Sequence, residues 1–232
     1  MTTVSIVKKT SSFLAAALLC VGTASAAVLA SDTFDGPAGK TLHGSPIEHR
    51  DSATRLLSSA WTANPHLVFS SSGDFVTTAI NKGGELKFSA PDKKEGMLTL
   101  KADVKVQSAD WIGLSLLSSV EVNVFDPRNT LLVLLNSTGF VQVLKNGSKV
   151  MLYSSSPALA GWNPQKFYTL EVRYDRSAGT VDVLVDNVRL NANPILVGEL
   201  NSGTFSAVGI RLHGESIKAN TPAIDNFSYS VR

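Results

Sequence analysis

Apolar residues recur at every second position along much of this chain. Between Leu98 and Val106 the apolar set is Leu98, Leu100, Ala102, Val104 and Val106, and Thr99, Lys101, Asp103 and Lys105 fall between them. Tyr168, Leu170, Val172 and Tyr174 alternate with Thr169, Glu171 and Arg173, while Val181, Val183 and Val185 follow Thr180 and flank Asp182. A period of two belongs to a strand with one face on a core and the other in water. Leu131 to Leu135 is apolar throughout and predicts a central strand covered on both faces. Further strands are predicted over 31–34, 66–70, 75–80, 84–89, 97–106, 111–117, 139–145, 149–154, 167–174, 180–185, 205–212 and 223–231. No segment of the body keeps helical periodicity over three turns, although 52–60 has room for one short helical turn.

Turn chemistry separates these runs. Asn146-Gly147 stands between two strand-like stretches, a strong hairpin signal because both residues tolerate positive φ. Asp175 to Gly179 joins the strands at 167–174 and 180–185 as a longer hairpin. Many short strands with regular turns, no internal repeat and no linker rich in Pro, Gly or Ser predict one all-β sandwich or barrel.

The first 26 residues follow a different pattern. Lys8 and Lys9 precede a short apolar run from Phe13 to Val21, and Ala24-Ser-Ala26 forms an A-x-A cleavage signal. The run is too short to span a bilayer. The expected division is a signal peptide over 1–26 and one domain over 27–232, secreted or periplasmic, with no transmembrane segment. Cys20, the only cysteine, lies in the leader behind Leu19, where a lipid attachment site wants a small residue. The body therefore has no disulfide, no cysteine nucleophile and no Cys-ligated zinc, and its core must hold it together. Of 232 residues 44% are hydrophobic, enough for a substantial core. Without the leader's two lysines, 19 basic residues balance 19 acidic ones. That balance does not suit a nucleic-acid partner, which calls for a basic excess.

Several stretches resemble a known family. Asp32-Thr-Phe-Asp-Gly36, Leu42-His-Gly44, Pro46 and Trp61 are similar to the opening of exported bacterial concanavalin A-like (LamG-like) jelly rolls. Asp110-Trp-Ile-Gly-Leu114, the hairpin ending in Val185-Asp-Asn-Val-Arg189, Val208-Gly-Ile210 and Ile224-Asp-Asn-Phe-Ser228 continue the resemblance over nearly all of the body. It implies an antiparallel two-sheet jelly-roll sandwich with first and last strands adjacent, often serving carbohydrate-related work. Lectins, carbohydrate-binding modules, glycosidases, lyases and adhesive domains share this fold, so function has to come from a site. The leading expectation is a non-catalytic domain that binds polysaccharide or a cell-surface glycan. A glycan-cleaving enzyme and a structural or adhesive protein without a small ligand are the alternatives.

Glu121-Val-Asn-Val-Phe-Asp126 resembles the E-x-D-x-x-E motif of retaining β-glucanases of this fold, with Glu121 at the nucleophile position. Asn123 replaces the central acid, Asp126 shortens the last, and Pro127 ends the strand. Retaining hydrolysis needs two carboxyl groups held about 5–5.5 Å apart, so Glu121 and Asp126 are weakened candidates. His43, His49, His66 and His213 lack metal-ligand spacing. No serine-hydrolase elbow and no glycine-rich phosphate loop is present. Asp32, Asp35, Asp225 and Asn226 lie near the two termini, which adjacent end strands would bring together. They offer oxygens for a structural Ca²⁺, the one cofactor considered, or else cap turns. Among the tryptophans, Trp61 and Trp111 sit in strand-like contexts and read as core. Trp162, in the turn-rich Ala160-Gly-Trp-Asn-Pro164, reads either as a loop ring folded back over the sandwich edge or as an exposed face for sugar stacking with Asn163 beside it to hydrogen-bond.

Overall fold

The structure is a computed structural model that describes residues 26–51, 58–78, 84–89, 96–107, 109–117, 131–145, 150–156, 159–198, 207–213 and 221–232, with 84–89 as backbone. Seventeen strands and no helix occur among the described residues. The chain opens with β1 (Ala27–Asp32), β2 (His49–Arg50), β3 (Thr62–Ala63), β4 (Leu67–Phe69) and β5 (Val76–Thr78). The long central strands follow: β6 (Gly84–Ser89), β7 (Met97–Lys105), β8 (Trp111–Leu117), β9 (Leu131–Asn136), β10 (Val141–Lys145) and β11 (Val150–Ser154). The last third contributes β12 (Tyr168–Asp175), β13 (Thr180–Val185), β14 (Val188–Arg189), β15 (Ile195–Leu196), β16 (Ala207–His213) and β17 (Ala223–Val231).

They form two antiparallel sheets. One runs β14-β13-β12-β7-β17-β1-β2, with β15 on β13 and the β4–β5 pair on β17. The other runs β11-β10-β9-β8-β16-β6-β3. The period-two residues explain the packing. Leu98, Leu100, Ala102 and Val104 of β7, with Leu170 and Val172 of β12, meet Ile112, Leu114 and Leu116 of β8 and Val133 and Leu135 of β9 in one core. Val181, Val183 and Val185 of β13 extend that core. Leu132, Leu134 and Leu144 project from the opposite face and form a second buried cluster with Trp111, so β9 is covered on both sides as its sequence predicts.

β1 starts at Ala27, four residues before the strand expected at 31–34, and pairs with β17 from Ala27↔Val231 to Asp32↔Phe227. First and last strands are therefore neighbours. The strands flanking Asn146-Gly147 pair antiparallel, with a bulge near Leu152. Of the segment read as a helical turn, 52–57 lie outside the described residues and 58–60 are not helical.

Candidate functional site

β14 ends one sheet and β11 ends the other, and between these edges lies a cavity of about 430 Å³. That size suits a small ligand, since ligand pockets run from about 300 to 1,000 Å³. Tyr153 and Tyr168 line it together with Val185, Val188 and Leu190, and Ser155, Ser156, Asp186 and Arg189 supply its polar groups.

The polar side chains are anchored from behind. The Tyr153 hydroxyl donates to the Leu190 carbonyl at 3.1 Å, tying the two edges together. Burial pushes the Tyr153 phenol above its ordinary value, so it stays neutral around physiological pH. The Tyr168 hydroxyl accepts the Asn163 N–H at 2.8 Å, and the Ser155 hydroxyl accepts the Val141 N–H at 3.0 Å. Each of these two hydroxyls is engaged as an acceptor and keeps its proton to donate. Asp186 and Asn187 take φ values of 50° and 65° in the two-residue turn between β13 and β14. Asp and Asn tolerate this left-handed geometry better than other non-glycine residues. The turn is clamped to β12: Asp186 donates its N–H to the Thr169 carbonyl at 3.0 Å, and Asp186 Oδ1 accepts the Thr169 N–H at 2.9 Å. Arg189 Nη2 donates to Asp182 Oδ1 at 2.6 Å, and the same oxygen accepts from Asn191 Nδ2 at 2.8 Å.

Trp162 and Asn163 do not line this cavity. Trp162 is half-buried rather than freely exposed. Its ring stacks on Tyr168 with centroids 4.7 Å apart, and its Nε1 donates to the Ser137 carbonyl at 2.9 Å. The ring lies against Gly139, where a Cβ would come within 2.6 Å of it. Asn163 Oδ1 accepts the Gln165 N–H at 2.9 Å. Trp162 and Asn163 thus position Tyr168, which does reach the cavity. Trp61 is fully buried, in contact with Phe34 and Phe227. Trp111 is half-buried and stacks on His213, its partner across β8 and β16.

The residues considered for calcium divide in two. Asp32 turns into the core, where Oδ2 accepts Trp61 Nε1–H at 2.6 Å and Oδ1 accepts the Phe34 N–H at 2.8 Å. Burial raises its pKa, against the pull of these hydrogen bonds. Asp225 and Asn226 sit at a bulge of β17, Asp225 directly opposite Asp103 of β7. Asn226 Nδ2 donates to Asp103 Oδ2 at 2.9 Å and to Asp225 Oδ2 at 3.1 Å. Burial, with repulsion from Asp103, Asp35 and Asp74, lifts the Asp225 carboxyl to about 6 despite the Asn226 N–H. Asp35 is thus close enough to be felt, but its own Oδ2 is occupied by the Thr33 hydroxyl. Asn226 presents N–H groups to these carboxylates where a cation would want oxygen. Among the described residues no group of three or more His, Cys, Asp or Glu is arranged to hold a metal ion. Glu121 and Asp126 lie outside the described residues.

No protein-family model matches the chain, and no curated protein matches it in sequence. Solved structures do. The metal-free exoplasmic/lumenal domain of VIP36 superposes with a TM-score of 0.60 at 14% identity, covering 90% of this chain and 94% of that one. The carbohydrate-binding module CBM66 from Bacillus subtilis gives 0.51 at 13% identity over 73% of this chain and 94% of the module. The carbohydrate recognition domain of Emp46p in its metal-free form gives 0.52 at 13% identity, over 82% and 94%. The chain has the concanavalin A-like jelly-roll fold.

Sequence reasoning reached the rear of the cavity through Trp162 and Asn163 but missed its lining. Asp186 and Arg189 stood in the Val185–Arg189 hairpin motif, where they read as turn residues. Nothing local marked Tyr153, whose meeting with Leu190 depends on the closure of two sheets.

Proposed function

We propose that this protein is a non-catalytic carbohydrate-binding domain whose ligand occupies the cavity between β11 and β14. The observation that carries this reading is the lining: two tyrosine rings beside anchored hydroxyl, carboxylate and guanidinium groups. Sugar rings present an apolar C–H face and a rim of hydroxyls, and such a wall offers a partner for each. VIP36 has been crystallised with mannose ligands, and CBM66 and Emp46p are named for carbohydrate binding, which supports the reading. Asp186 is the only carboxylate among the described lining residues. Retaining and inverting hydrolysis each need two carboxyl groups flanking the bond, so the cavity favours binding over cleavage.

The test is a glycan array followed by calorimetry on the wild type, Tyr153→Ala and Tyr153→Phe, with thermal melts alongside. Losing the ring should weaken binding about fivefold, taking aromatic contacts at about 1 kcal/mol, while Tyr153→Phe stays close to wild type. Unchanged binding by a folded Tyr153→Ala would move the site elsewhere. Absence of any glycan ligand would favour the adhesive reading.

We also propose export, with cleavage after Ala26. Support comes from the leader's charge and apolar pattern and from β1, which begins on the residue that cleavage would expose. Amino-terminal sequencing of exported protein should read Ala-Val-Leu, and a mature chain starting elsewhere overturns the assignment.

A further inference from the structure

We infer that Asp186 sets the charge specificity of the cavity, which accepts an uncharged sugar ring and rejects one bearing a carboxylate, such as a uronic acid. The inference rests on the saccharide reading above and deepens it. Among the described residues two charged side chains line the cavity, Asp186 and Arg189. They are not equivalent. Arg189 is an ion-pair partner of Asp182, so much of its charge is already answered before a ligand arrives. Asp182 is itself fixed, since Asn191 Nδ2 donates to the same oxygen and the Asn191 side chain is buried. Arg189 therefore offers its remaining N–H groups as hydrogen-bond donors and little net attraction for an anion.

Among the described residues Asp186 has no such counter-ion. Its one side-chain partner among the described residues is the neutral Thr169 N–H, which engages Oδ1 and leaves Oδ2 to accept. The clamped turn holds that oxygen in place, so it is ready for ligand hydroxyls without reordering. Charge-assisted hydrogen bonds from hydroxyls to a carboxylate are among the stronger polar contacts. A ligand carboxylate cannot donate and meets a like charge at the exposed protein surface, where repulsion still exceeds that in bulk water. With Asp182 offsetting Arg189, the charge an incoming anion meets is that of Asp186.

The experiment pairs neutral probes with their C6-oxidised counterparts: galactotriose with trigalacturonate, mannotriose with trimannuronate, and cellotriose with triglucuronate. Affinities are measured by calorimetry for wild type and Asp186→Asn at low and high salt. Asn keeps an acceptor for the Thr169 N–H and tolerates φ near 50°, so the turn is preserved. The wild type should prefer the neutral member of any bound pair by about tenfold at low salt, and salt should reduce that ratio. In Asp186→Asn the ratio should fall to within about twofold, mainly through better binding of the uronate. Equal or tighter binding of the uronate by wild type overturns the inference and leaves the saccharide site standing. So does a ratio that Asp186→Asn does not change. If neither member of any pair binds, the saccharide reading of the cavity fails and the inference falls with it.

Discussion

Two tryptophans end on an oxygen in this protein, with different consequences. The Trp61 N–H meets the Asp32 carboxylate inside the core, whereas the Trp162 N–H meets a backbone carbonyl at the edge. Asp32 Oδ2 depends on the indole, because a buried charge short of donors bears more of its desolvation cost, while Oδ1 keeps the Phe34 N–H. Trp61→Phe should therefore destabilise the fold by about 2–4 kcal/mol, adding lost packing to a carboxylate oxygen left without its donor. The loss has a pH signature. Asp32 already titrates above its ordinary value through burial, and removing the indole N–H takes away an interaction that lowers it. A raised folded-state pKa means stability is present at low pH and lost as pH rises through that value. Urea denaturation should find the variant's deficit smaller at pH 4 than at pH 7, and an equal deficit at both would refute the carboxylate's part. At this scale the sequence was partly readable. A tryptophan among Ser59, Ala60, Thr62 and Ala63 reads as buried, and Trp162 among Gly, Asn and Pro reads as a loop residue. That the Trp162 ring folds back was one of its two readings, but what it folds onto could not be read, because its seat is Gly139 and its neighbour Tyr168 arrives on another element.

Among elements, β17 shows both what alternation reveals and what it conceals. Its apolar residues predict a strand over 223–231, and the strand has those bounds. The bulge between Asp225 and Ser228 carries no alternation signal, and Asn226 within it takes φ 48°. Register then sets Asp225 against Asp103, a juxtaposition that pairwise spacing along the chain cannot show. With its carboxyl near 6 in the folded state against 3.8 ordinarily, Asp225 favours folding when protonated. That contribution is complete below about pH 4 and is lost as pH climbs through 6. Asp225→Asn should abolish the dependence. After allowance for partial exposure, the variant should exceed wild type by about 1 kcal/mol at pH 7.5 and match it at pH 4. Thermal melts across that range are the measure, and a variant less stable than wild type at pH 7.5 would rule out the repulsion. The very short strands β2, β3, β14 and β15 were missed at the sequence level because two residues are too few to display a period. The edge cavity was hidden for the same reason, since β14 forms one of its walls.

For the whole molecule, an all-β sandwich was legible because long strands on both sheets carry clean alternation, and the order of those strands was not. Adjacent ends were expected through resemblance, and β1 does lie against β17. This pairing has a consequence for biogenesis. Ala27 finds Val231 only after the residues between them have been made, so the central part of the ten-stranded sheet is completed late, when β17 arrives. Closing so long a loop is slow, and topologies dominated by distant pairings fold slowly. A chain emerging from the ribosome lacks the strand that β1 and β7 both need, since β17 sits between them. Until that strand arrives the sheet stays open at its middle, and the two halves of the layer close around it as one event.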